Sequence, residues 1–145
     1  MGDEIEEFAK AIGAEIPDPS NEHYATFKSI FKRSNYFLLG NKFIIVKISR
    51  SETPFWGIGK NFIDLLNNFD YLLILLVSNR EGWVFSKDAI NSNIRHKKWN
   101  LRIADNNYKI NWPLPDRNSF FSPENFLKKS MNSLPDIGGT EGIRT

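Results

Sequence analysis

The chain has 145 residues, 41% of them hydrophobic, with no cysteine and two histidines. That is the size of one ordinary domain with apolar side chain enough for one core, and it excludes a disulfide framework, a thiolate zinc site and a cysteine nucleophile. The net charge of +2 hides an asymmetry: residues 1 to 22 hold seven acids and one base, a balance of −6, while the remaining 123 hold eighteen bases and ten acids, a balance of +8. A basic body draws polyanions through counterion release, and an acidic leader is either solvated or folded over the basic surface.

Ile5, Phe8, Ala9 and Ile12 recur at i, i+3, i+4 and i+7 ahead of Gly13, which predicts a short amphipathic helix over 3 to 12. These opening residues are acidic and periodic, and do not read as a secretory signal. Pro17 and Pro19 break the chain, and a helix is expected at about 21 to 32, capped by Ser20 or Asn21, with Tyr24, Phe27, Ile30 and Phe31 on one face. Aromatic and β-branched runs on both sides of Gly40-Asn41 predict a tight hairpin with strands at 36 to 39 and 42 to 49.

The segment PFWGIG at 54 to 59 reads as a turn that folds Phe55 and Trp56 over the core edge and leads into a helix at 60 to 69. YLLILLVS at 71 to 78 is far shorter than the roughly 20 residues of a membrane span and reads as a strand buried on both faces. Strand, helix and buried strand together make a crossover unit. Ser78 to Gly82 turns the chain back into WVF, Ser86 caps a helix over 87 to 95, and NLRIADNNYKINW forms a second hairpin bent at Asp105 to Asn107. Ser122-Pro123-Glu124 carries the cap, first-turn proline and early acid of a helix start. The expected whole is an α+β domain over 1 to 131 on a mixed sheet with flanking helices, followed by a loose tail over 132 to 145.

The glycines before Lys60 invite comparison with a phosphate-binding P-loop, G-x-x-x-x-G-K followed by Ser or Thr. Pro54 stands where the first glycine belongs and Asn61 where the hydroxyl belongs, so this is no nucleotide loop. A lesser anion site is expected at the start of helix 60 to 69, with Lys60, Arg50 and the hydroxyls of Ser49, Ser51 and Thr53 around one backbone phosphate. His23 and His96 sit in no metal-ligand pattern, no G-x-S-x-G elbow is present, and Asp64 and Asp70 read as solvated flanks of an apolar helix.

The order of helix 21 to 32, hairpin 36 to 49, helix 60 to 69 and strand 71 to 78, with Lys47 late in the second hairpin strand, resembles the core of the PD-(D/E)XK, or restriction-endonuclease-like, nucleases. The likeness covers about half the chain. In that family the lysine follows a magnesium-binding acid by two residues, whereas the segment here reads IVK, with Ile45 in the acid's place. The resemblance implies a nucleic-acid-binding relative or a divergent magnesium-dependent nuclease, with Lys47, Glu22 and Glu52 as its candidate catalytic side chains.

RHKKWNLR at 95 to 102 adds a basic and aromatic segment suited to phosphates and bases. The candidate nucleic-acid contacts are Arg50, Trp56, Lys60, Arg95, Lys97, Lys98, Trp99 and Arg102, although for 95 to 102 a core anchor at Trp99 with the charges as a solvated rim stands slightly ahead. The leading function is a nucleic-acid-binding domain with a nuclease-like core in a restriction or defence system. It needs no cofactor unless it cleaves, when magnesium is expected. A protein-interaction module, with a protein partner or a second copy, is the reading from a different class, and a soluble cytoplasmic location fits both.

Overall fold

The computed structural model describes residues 3–15, 36–40 and 42–133. Helix α1, Asp3–Ala11, buries Phe8 and Ala9, and Ile12 just after it completes the buried stripe that the periodicity predicts. The hairpin follows as β1, Tyr36–Leu39, and β2, Lys42–Ile48, paired antiparallel through a turn in which Gly40 has φ +66°. That left-handed backbone favours glycine because it has no Cβ to clash. The sequence-predicted helix at 21 to 32, Glu22 and His23 lie outside the described residues.

The chain then leaves the hairpin for a second sheet. Residues 55 to 59, expected as a turn, form strand β3, Phe55–Gly59, which pairs antiparallel with the distant Asn107–Asn111. Trp56 and Ile58 point inward and are buried, so the two-residue alternation of a half-buried strand overrides the turn composition of the glycines. Helix α2, Lys60–Leu66, is a turn shorter than expected, and β4, Tyr71–Leu76, returns parallel to β2 with Val46 opposite Ile74. Every residue of β4 is buried, and its apolar run is explained by cover on both faces.

Ser78 holds the next turn, its hydroxyl accepting from the N–H groups of Arg80 and Glu81, both at 3.1 Å. Strand β5, Gly82–Ser86, then runs antiparallel to β4. A Cβ on Gly82 would stand 2.3 Å from the Leu75 carbonyl oxygen, so the close approach of the strands at their start admits only glycine. Ser86 caps helix α3, Lys87–Arg95, by accepting from Ala89 N–H at 3.2 Å. The second hairpin is β6, Asn100–Arg102, and β7, Asn107–Asn111. Strand β8, Ser119–Phe120, closes the far edge of the main sheet. Helix α4, Pro123–Ser133, starts on Ser122, whose hydroxyl accepts from Asn125 N–H at 3.0 Å. Of the expected tail, 132 and 133 end α4, and 134 to 145 lie outside the described residues.

The fold is thus α+β, with a main mixed sheet in the order β1-β2-β4-β5-β8 and a three-stranded antiparallel sheet in the order β3-β7-β6. One face of the main sheet, with Ile45, Leu73 and Phe85, packs against α2, α3 and the inner face of the small sheet. The other, with Ile44, Val46 and Ile74, is covered by Phe8 of α1, by Ile12 just after it and by Phe126 of α4. Among the described residues no helix is long and apolar enough to cross a membrane.

Candidate functional site

Beyond β2 the chain must turn away from its parallel partner β4, and the carboxyl ends of such strands are where open mixed sheets leave a crevice. A cleft of about 430 Å³ lies there. Its walls come from Lys47, Ile48 and the Ser49 to Ser51 segment on one side and from Phe55, Trp56 and Gly57 of β3 on the other, with Ile5 of α1 at one end.

Two hydrogen bonds to one carbonyl build the floor. Ser49 N–H donates to Leu76 O at 3.0 Å, extending the β2–β4 ladder by one residue, and Trp56 Nε1 donates to the same oxygen at 3.2 Å. Trp56 is 3% exposed and meets Trp83 edge to face, which locks β3 onto the end of β4. The buried Ser49 hydroxyl accepts from Phe55 N–H at 3.2 Å and from Ser51 N–H at 3.4 Å, and so shapes the loop from within.

Lys47 alternates with Phe43 and Ile45 on β2 and stands opposite Leu75, so its stem crosses apolar surface where the residue lines the cleft. It is half-buried, makes no ion pair or hydrogen bond among the described residues, and burial lowers its pKa from the ordinary lysine value. Arg50, on the following loop, is exposed and donates from Nη2 to Glu4 Oε1 of α1 at 2.6 Å. The described part of the acidic leader, α1, thus places one carboxylate on one cleft cation.

Several expected site residues stand elsewhere. Arg50 lines the cleft, whereas Lys60, past the far end of β3, is not among its walls. Lys60 pairs instead with Asp64 at 3.1 Å, and its N–H donates to Asn106 O. Ile45, two residues before Lys47, is wholly buried, while Glu52 is exposed on the loop outside the cleft walls. Among the described residues no three His, Cys, Asp or Glu side chains cluster as metal ligands. At the position where the resembled family carries its magnesium-binding acid, the buried apolar Ile45 supplies no oxygen ligand.

The basic segment splits in the same way. Trp99 is buried edge to face against Phe85, so it anchors the core, and like Trp56 it offers no ring face to a base. Arg95, Lys97 and Lys98 are exposed at the end of α3, and Arg102 is held bidentate by Asp105, whose carboxyl the guanidinium hydrogen bond pulls down to about 2. His96 ends α3, its Nδ1 3.0 Å from Ser92 O. A second cavity of about 220 Å³ mixes both signs of charge, with Lys42 paired to Asp70 at 2.7 Å.

Comparison with protein-family models, curated proteins and solved structures found no match. The site is therefore read from its own residues. Phe55, expected over the core edge, is instead an exposed rim, and Lys109, which the sequence did not single out, has its Nζ 5.0 Å from the centre of the Phe55 ring. Their signal was present in the alternation of 55 to 59, but only the pairing with β7 shows which alternate faces solvent.

Proposed function

We propose that the chain is a nucleic-acid-binding domain whose cleft at the end of β2 holds a backbone phosphate between Lys47 and Arg50. The observation that carries this is Lys47: a half-buried cation with no carboxylate on it among the described residues, facing an open cleft beside a second cation. A bound phosphate would restore the solvation that burial takes from the ammonium, and would accept from the Arg50 fork as Glu4 does now. The hairpin, the parallel crossover and the position of Lys47 support a nuclease-like core, while Ile45 and the outlying Glu52 favour binding over magnesium-dependent cleavage.

The test is a salt titration of binding to random-sequence nucleic acid by wild type and Lys47→Gln. Loss of one phosphate contact should lower the slope of log K against log salt by about one unit, similarly for unrelated sequences. Absence of any affinity at low salt would refute the reading. A protein-interaction module then takes its place, favoured by Ile103, Phe121 and Trp112, which are 87%, 69% and 50% exposed.

A further inference from the structure

Building on that reading, we infer that the cleft takes a single strand of nucleic acid and stacks one base on Phe55, over the bare backbone of Gly57. Strand pairing fixes the outer face of the small sheet: Phe55 stands opposite Asn111, Gly57 opposite Lys109, and Lys109 opposite Asn100. Directly opposed residues project to the same side. The inner face carries Trp56, Ile58 and Ile110, all buried, while Phe55 on the outer face is 46% exposed. Its ring has no core to fill.

Gly57 gives the second observation. It lies inside a strand, where glycine weakens the element and often marks the close approach of another molecule. Its φ lies outside the left-handed region, and a Cβ there would meet only the Tyr108 carbonyl oxygen, at 3.9 Å. The backbone therefore accepts any side chain at this position. What its absence provides is a flat floor beside Phe55, and both residues line the cleft that holds Lys47 and Arg50.

Charge and geometry together select the occupant. Lys109 Nζ lies 5.0 Å from the ring centre, Lys47 and Arg50 line the same cleft, and the one carboxylate bonded to any of the three among the described residues is Glu4. A phenyl ring can receive a base only where the base is free of its own stack, as in a single strand, and the contact tolerates any sequence because every base has a π-face. In a duplex the backbone phosphates still reach Lys47 and Arg50, but Phe55 adds nothing.

The experiment is fluorescence anisotropy of the full chain with single strands of DNA and of RNA and with a duplex of matched length. Wild type should prefer a single strand, and preference for either sugar supports the inference and names it. Phe55→Ala should weaken single-strand binding about 5- to 100-fold, with duplex affinity and the salt slope unchanged, and Phe55→Trp should restore it. Gly57→Leu should weaken single-strand binding with no loss of melting temperature, and a variant as tight as wild type overturns the placement over Gly57. Equal binding of duplex and single strand with Phe55→Ala neutral on both overturns stacking and leaves the phosphate reading intact. No binding of any nucleic acid by wild type overturns both.

Discussion

Arg50 Nη2 donates to Glu4 Oε1 at 2.6 Å, joining the loop after β2 to the first turn of α1. Both side chains are well exposed, so the pair is worth at most about 1 kcal/mol of stability. In the cleft it has a larger consequence, because any phosphate that binds Arg50 must first displace this carboxylate. Glu4→Gln should therefore raise affinity for nucleic acid several-fold at low salt and leave the melting temperature within a degree or two. Titration of the variant beside wild type checks this, and unchanged affinity would remove Arg50 from the interface.

Arg50→Ala and Lys60→Ala should behave differently, because Arg50 lines the cleft while Lys60 does not and is paired with Asp64. The arginine variant should lose about one unit of salt slope, and the lysine variant none. Equal losses in the two would mean that the nucleic acid follows the whole length of β3.

Lys47 ties stability to pH. Burial lowers its pKa in the folded state, so between that lowered value and the ordinary value of 10.5 the unfolded chain binds more protons than the folded one. Stability must then rise with pH across that window, and the cost of holding the charge is fully present below it. Lys47→Met should raise the melting temperature by a few degrees at neutral pH, flatten the alkaline rise and weaken nucleic-acid binding. A variant that melts lower than wild type at neutral pH would show that the ammonium is not a burden to the fold.

The buried strand β4 is the centre of the main sheet, with Ile74 fully buried among Val46, Val84 and Phe126 on one face. Ile74→Asp places an unpaired carboxylate there at a cost of several kcal/mol, on the order of the stability of a domain this size. The variant should fail to fold, and a cooperative melt would take this strand out of the core.

Gly82→Ala probes the same strand by its backbone. The added Cβ would press on the Leu75 carbonyl oxygen, a rigid ladder atom, and the loss should reach about 3 kcal/mol by denaturant unfolding. A loss under about 1 kcal/mol would mean that β4 and β5 can separate at that end.

What the sequence determined by itself is local. The period of Phe8, Ala9 and Ile12, the caps at Ser86 and Ser122, the Gly40 turn and the unbroken apolar run of β4 each depend on residues a few positions apart, and each is legible in the order of the residues alone. Lys47 at the end of an apolar strand is legible as well. What the tertiary structure alone decided are the relations between distant segments. A two-residue alternation in 55 to 59 carries no partner with it, and only pairing with 107 to 111 makes that stretch a strand and turns Phe55 outward. Trp56 and Trp99 have the composition of a binding face, yet an indole buries more apolar area than almost any other side chain, so the core claimed both once the two sheets closed on each other.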